Sequence, residues 1–471
     1  MNRRTFFKNG ALATVGATVL NPFEVSAQEF GLENFNKNKK AKNIIIVVSD
    51  GMSNGTLSMA DLYLSRKTGK GSNWLQLYKD NRVSRALMDM ASASSMVTDS
   101  AAASSSWGGG VRVKNGSLNV DANGNSQLPI WQKFKKAGKM AGCVTTVPIT
   151  HATPAGFCIA SKSRNSQENI AEDYLELGFD IMMGGGNEYF SSDTRKDKRD
   201  LFKEFSDRGF HVVKNRNEMK NAPTTKPILG VFCTDGLPYS KDRENNKELT
   251  ETIPTLAEMT QKAIEKMKDH PKGFVLQVEA GRVDWAAHGN DIAGLIYDQN
   301  AHDDALKVAL DFAEKEGNTL VIITSDHGNA NPGIIYGKNA DVNFDSIQNY
   351  KQTNDWILNG IGKETSISQV IERVEYANTI VLKEAEAKEL LSYYSAIKME
   401  DGLYNNKHLP FKLMSELQRK TNSVGWISMD HSADYVELAL FGPGSHLLKP
   451  FIKNTDLHYL MLEAAEVENK F

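Results

Sequence analysis

The sequence predicts an α/β fold, a three-layer sandwich around a mostly parallel central sheet. Continuous Val/Ile-rich runs recur along the chain, and amphipathic helical stretches separate several of them. A strand buried on both faces shows no polar alternation, which is the pattern of a parallel sheet covered by helices on either side. A third observation gives the sheet a working end. Acidic or histidine residues stand at the C-terminal ends of three of the runs, where open α/β sheets bind their ligands.

Taken in order, the elements begin with a targeting segment. Arg3-Arg4, then Phe6, Phe7 and Lys8, lead into a modest apolar stretch to Leu20 and the small-residue exit Val25-Ser26-Ala27. This order predicts a twin-arginine export signal over residues 1–27 and a periplasmic or secreted mature protein. The apolar stretch is too short and too rich in Gly, Ala and Thr to cross a bilayer, and no other stretch could do so. Strands follow at 43–50, 140–150, 227–233, 273–280 and 318–328, with helices at 255–268 and 300–316 among them. From 329 to 428 the strand rhythm stops: polar sequence gives way to helical patterns at 366–374 and 383–397 and then to the loop "EDGLYNNKHLP". A structureless loop of that length is foreign to compact domains. The expectation is an inserted subdomain, with its role as a lid or as the interface of a homodimer left open. Residues 435–441 resume the sheet and 456–468 close with a helix, so the catalytic domain is expected to comprise 28–328 and 429–471.

Composition excludes some functions. With 55 Lys+Arg against 58 Asp+Glu there is no basic excess to attract nucleic acid. Cys143, Cys158 and Cys233 are odd in number and match no zinc–cysteine spacing, so no disulfide framework is expected.

One stretch raises a question that composition does not answer. "SMVTDSAAASSSWGGG" (95–110) has the make-up of a flexible linker, yet one of its hydroxyls could be placed for chemistry. The surroundings bear on the choice. Asp50 closes the first strand, Glu279 and Asp284 follow the fourth, Asp326-His327 close the fifth, and His431 stands in "MDHSAD". Singly, each is an ordinary turn aspartate or structural histidine. Asp284 and His288 lie four apart, one turn if helical, so both can reach one metal ion. Together the residues form a His₂Asp set (Asp284, His288, His431) and an Asp₂His set (Asp50, Asp326, His327). Two cations about 4 Å apart in such sets can hold the attacking and leaving oxygens of a phosphate ester.

Asp50 in "VVSDGM", Asp99-Ser100-Ala101, His151 to Ala155 in "THATPA", Glu279 to His288, "TSDHG" and His431 together resemble the ordered signature of the alkaline phosphatases. The resemblance runs from about residue 43 to 328 and resumes at 430. It implies that Ser100 begins a helix and is the nucleophile, with the small residues around it packing a site; the linker reading then falls. It also implies two zinc ions and one magnesium. The first zinc would be held by Asp284, His288 and His431, and the second by Asp50, Asp326 and His327 with Ser100. The magnesium would take Asp50, Thr153 and Glu279, oxygen donors suited to a hard cation. Arg164, eleven residues after Thr153, matches the family's phosphate-clamping arginine.

Two positions depart from the best-known bacterial form, which has an aspartate at His151 and a lysine at Trp285. The exchange removes a cation near the phosphate. It leaves the third metal open, and with it whether His151 meets that site directly or through water. The implied activity is an exported phosphate monoester hydrolase with a phosphoserine intermediate, most active at alkaline pH. Its rivals are a phosphodiesterase or phosphonate hydrolase on the same core, and a non-catalytic phosphate- or metal-binding protein. Arg164 and a complete third site favour monoesters, while Ser100 speaks against a sulfatase and against a protein that only binds.

Overall fold

The computed structural model describes residues 39–397, 399–400, 403–404 and 406–470. The export signal expected over residues 1–27 lies outside them. Eight strands of the central sheet precede the segment 329–428: β1 (Asn43–Ser49), β2 (Ser84–Asp89), β3 (Met140–Pro148), β4 (Ile181–Gly185), β5 (His211–Val213), β6 (Ile228–Val231), β7 (Phe274–Ala280) and β8 (Thr319–Ser325). Val436–Phe441 and Phe451–Lys453 complete ten, in the order Phe451–Lys453, β2, Val436–Phe441, β8, β1, β7, β3, β4, β6, β5. Every pairing among the described strands of this sheet is parallel except those of Val436–Phe441, which runs antiparallel to both β8 and β2. Sequence reading found β1, β3, β6, β7, β8 and Val436–Phe441. It missed β2, β4, β5 and Phe451–Lys453, which are short or lack a continuous apolar run.

Alternation along β1 shows why the sandwich has three layers. Ile45 and Val47 enter one core with Leu276, Val278 and Ile323, while Ile44, Ile46 and Val48 enter the other with Val275 and Ile322. The first core is roofed by the helices Leu256–Met267 and Ile292–Glu316. Thr255 caps the former through a reciprocal capping box with Glu258. The second is roofed by Ser100–Gly109, Ala152–Cys158 and Asn454–Ala464. All three cysteines are free thiols, as expected. No helix among the described residues is long and apolar enough to cross a membrane.

The segment 329–428 is an excursion that ends where it began. Gly333 pairs with Gly425, and closer to the sheet Asn329 pairs with His431 and Gly328 with Ser432, both antiparallel. Between these ties run short helices whose Phe344, Ile357, Val370 and Met414 join the first core. The segment thus packs against the sandwich through a shared core.

Helix Ser100–Gly109 explains its own composition. It is wedged against Ala152–Cys158, and every one of its residues is buried. A Cβ on Gly108 would lie 2.0 Å from the Gly156 carbonyl oxygen, and one on Gly156 would lie 2.1 Å from Ser104 Oγ. In an isolated helix, alanine in place of glycine adds roughly 1 kcal/mol of stability. Gly108→Ala should instead destabilise by roughly 1–3 kcal/mol, because the two helices must separate. Urea unfolding measures this, and an unchanged or higher midpoint would contradict the close packing.

Candidate active site

Strand register places the carboxylates. Ser49 lies opposite both Ala280 of β7 and Ser325 of β8, so Asp50 and Asp326 leave the sheet side by side. Glu279 sits inside β7, one residue before its end, and not after it as the sequence suggested; its neighbour across β3 is Thr145, which hydrogen-bonds it. Asp284 and His288 project from the helix Arg282–His288. Gly51 makes room for them. Its φ is +65°, and a Cβ there would fall 2.4 Å from Asp284 Oδ1.

The donor groups converge. His327 Nε2 lies 3.5 Å from Asp50 Oδ1, 3.3 Å from Asp326 Oδ2 and 3.2 Å from Ser100 Oγ. His288 Nε2 and His431 Nε2 lie 3.0 Å apart, each 3.5 Å from an Asp284 oxygen. The rings of His327 and His431 stack at 3.7 Å, which joins the two sets; donor atoms of Asp284, His327 and His431 fall within 4.8 Å of one another. Thr153 Oγ1 donates to Asp50 Oδ2 at 3.3 Å, bringing the third set together with Glu279.

The orientation of the imidazoles decides what such a site holds. Nδ1 of His288 faces the Met429 carbonyl at 2.7 Å, that of His431 faces the Thr98 carbonyl at 2.9 Å, and that of His327 faces the Gly328 carbonyl at 3.3 Å. A carbonyl only accepts, so each neutral ring carries its hydrogen on Nδ1 and turns an Nε2 lone pair toward the carboxylates. Asp50 Oδ1, Asp326 Oδ2 and Glu279 Oε1 are buried without a hydrogen-bond partner. Lone pairs facing lone pairs out of water is the chemistry of a cation site, with backbone carbonyls orienting the ligands.

Electrostatics record the same crowding. Burial raises Asp50 well above the carboxylate range, and repulsion from Asp326, Asp284 and Glu279 adds to it. Burial likewise raises Glu279 to about 7 and Asp326 to about 6. It lowers His327 to about 3. Burial also works to lower His431, but the hydrogen bond and charge of Asp284 prevail and raise it to about 9.

Ser100 is the first residue of its helix, capped by Asp99, whose side chain accepts from the Ala102 amide at 2.9 Å. The other Asp99 oxygen accepts from the Gly116 amide at 2.9 Å and from Arg164 Nη1 at 3.1 Å. Arg164 Nη2 lies 3.0 Å from His151 Nε2. These side chains line an open cleft of 520 Å³ with Ser100, Asp284, Trp285, His288 and His431. A larger hollow of 1020 Å³ lies beside Trp356, Arg373 and Tyr376, and no metal-compatible group of the described residues reaches it.

The alkaline phosphatase family matches residues 41–467. The chain belongs to the alkaline phosphatase family. Alkaline phosphatase 4 of Bacillus subtilis (strain 168) is 31% identical over 425 residues, covering 88% of this chain and 87% of the relative. The crystal structure of Thermus thermophilus alkaline phosphatase superposes with a TM-score of 0.85 at 32% identity, covering 94% of this chain and 95% of that one. An alkaline phosphatase of the Antarctic bacterium TAB5, in a variant with Mg bound in its M3 site, shares the fold at a TM-score of 0.65 and 23% identity, over 92% of this chain and 99% of that one. Family membership makes this protein a phosphoric monoester hydrolase.

The third set has an imidazole beside it. A ring nitrogen of His151 comes within 4.8 Å of oxygens from Asp50 and Glu279. Arg164 can only donate, so a neutral His151 accepts on Nε2 and presents Nδ1–H, which is buried without a partner. Burial, with the Arg164 charge, lowers His151 to about 3 and keeps it neutral. A neutral His151 therefore turns no free lone pair toward the third set. Sequence reasoning missed Asn329, whose amide donates to Asp284 Oδ1 at 2.7 Å. It follows His327 by two residues in "SDHGN", the one signal that could have drawn attention to it. The Thr98 and Met429 carbonyls left no signal at all, since any residue could supply them.

The raised carboxylates set a pH dependence. Glu279 and Asp326 have folded values above their ordinary ones, so their contribution to the metal-free fold is full below the ordinary carboxylate range and is lost as pH rises through about 6 to 7. A cation takes the deprotonated form and reverses that loss. Zinc with magnesium should therefore raise the melting temperature of chelated protein more at pH 8 than at pH 5.5. Scanning calorimetry at both values checks this, and equal shifts would contradict it.

Proposed function

We propose that this protein is an exported, metal-dependent phosphate monoester hydrolase that works at alkaline pH through a phosphoserine formed on Ser100. The observation that carries the reading is the meeting of Ser100 Oγ with imidazole lone pairs and buried carboxylates, under Arg164, in one open cleft. The mixed nitrogen and oxygen donors Asp284, His288 and His431, and Asp50, Asp326 and His327 with Ser100, fit two zinc ions. Asp50, Thr153 and Glu279, all oxygen donors with His151 beside them, fit a magnesium ion. Bound divalent cations supply Lewis-acid charge that acidifies a hydroxyl and neutralises phosphate oxygens.

The chain's own residues do the rest. The N-terminus of the helix Ser100–Gly109 favours an anion in front of Ser100. Arg164 is pinned by Asp99 and His151, and each Nη keeps a second hydrogen for a non-bridging phosphate oxygen. Ser100 Oγ gives up its proton and attacks phosphorus, and the ester oxygen leaves with its bonding pair and is protonated to the alcohol. Water then attacks the phosphoserine, releasing inorganic phosphate and restoring the Ser100 hydroxyl. The neutral His327 facing Ser100 leaves the hydroxyl's lone pair free to react. Export by the twin-arginine route is supported by Arg3 and Arg4 ahead of the apolar stretch.

Ser100→Ala should lose turnover roughly 10³-fold or more yet keep its metals, because Asp50, Asp326 and His327 remain. Acid quench after labelled substrate traps phosphate on the wild type. Stoichiometric label on the variant would place the nucleophile elsewhere. Replacing Arg3 and Arg4 with lysine should leave the enzyme in the cytoplasm; undiminished activity in the periplasm or medium would refute the export route.

A further inference from the structure

Behind the ligand sets the backbone is strained. After Asp326 and His327 the chain turns at Ala330 and Asn331, whose φ values of +55° and +44° are both left-handed. Asparagine tolerates that region and alanine does not, so neighbouring contacts must hold the turn. They come from the returning chain. The fully buried Ala330 donates its amide to the Asp430 carbonyl at 2.9 Å, and its carbonyl accepts from the Ile427 amide at 3.0 Å. The turn is thus tied to the residues that lead into His431.

The Asn331 side chain makes a second tie. Its Oδ1 lies 2.9 Å from the hydroxyl of Ser432, the residue after His431, and 2.8 Å from that of Ser53, which follows Asp50 by three positions. Ser53 stands at the N-terminus of the helix Asn54–Thr68, where a serine ordinarily accepts from one of the first helical amides. Here it caps none of them. Its Oγ accepts from the Asn329 amide at 3.0 Å and shares its hydrogen between Asn331 Oδ1 and the Asn329 carbonyl, which is 2.9 Å away. One amide oxygen therefore bridges the loop after Asp50 and the strand that carries His431. The pieces approach closely: a Cβ on Gly328 would fall 2.5 Å from Ser432 Oγ, and one on Gly55 would fall 1.8 Å from the Pro332 carbonyl oxygen.

Resting on the metal assignment made above, we propose that Asn331 is a positioning residue for His431: by holding Ser432 against Ser53 it fixes the first ligand set relative to the second, and so sets the affinity of the first set for zinc. Asparagine suits the place twice over. It accepts the left-handed turn, and it supplies the oxygen that two hydroxyls converge on.

The test measures bound zinc instead of turnover. Zinc-loaded protein is dialysed against chelator buffers of graded free zinc with magnesium in constant excess, and the zinc retained per subunit is counted. Asn331→Gly keeps the left-handed turn and removes the oxygen. It should weaken one of the two zinc ions about tenfold or more and leave the other unchanged. Ser432→Ala, which removes the other end of the contact, should reproduce that selective loss, and Asn331→Asp, which keeps an acceptor oxygen in the same turn, should recover most of it. In a His431→Ala background, Asn331→Gly should weaken zinc no further. Equal weakening of both ions, no weakening in either Asn331→Gly or Ser432→Ala, or an undiminished effect without His431 overturns the positioning role. A wild type that holds no zinc at any free concentration would instead overturn the metal assignment itself.

Discussion

Four carboxylates, Asp50, Glu279, Asp284 and Asp326, are held within reach of one another at the carboxyl ends of the sheet, out of water, with the Nε2 atoms of three imidazoles turned toward them. Such an arrangement repels itself unless protons or cations intervene. The rest of the molecule accommodates that constraint. The sheet core is buried on both faces, and backbone carbonyls fix the imidazoles through their Nδ1 atoms. The fold stores an electrostatic tension that protons or divalent cations can relieve.

Two features of chain geometry create the convergence. Parallel register sets the ends of β8, β1 and β7 level, so residues separated by hundreds of positions emerge from one edge. The excursion over 329–428 then returns antiparallel to the strand end it left, and the pairing of His431 with Asn329 delivers the last imidazole beside His327. Asn329 takes part twice, holding the return by its backbone and Asp284 by its amide. The return from the segment that interrupts the sheet thus brings the last candidate donor into place.

The surroundings of Ser100 and those of Trp285 are built on different principles. Around Ser100 a chain of polar contacts runs from the Gly116 amide through Asp99 to Arg164 and His151, so the guanidinium is oriented by neighbours that themselves have little freedom. Beyond Trp285 the contacts become aromatic and cation–π, with Arg282 against the Trp285 and Tyr239 rings. The same helix supplies Asp284 and His288 to the first and Trp285 to the second.

By itself the sequence determined the α/β class and the donor residues, because both are written in local chemistry. Unbroken Val/Ile runs signal strands buried on two faces, and an Asp or Asp-His at a strand end is visible whatever surrounds it. Ordered motifs then singled out Ser100, Arg164 and the candidate ligands together. The short strands β2, β4 and β5 escaped because their pairing is stabilised by neighbours and not by their own pattern. Only the tertiary structure decided how the donors face one another. Which imidazole nitrogen carries the hydrogen depends on the Thr98, Met429 and Gly328 carbonyls, and for His151 on Arg164. Those are contacts between backbone and side chains far apart in the chain, and a linear sequence holds no record of them until the sheet closes.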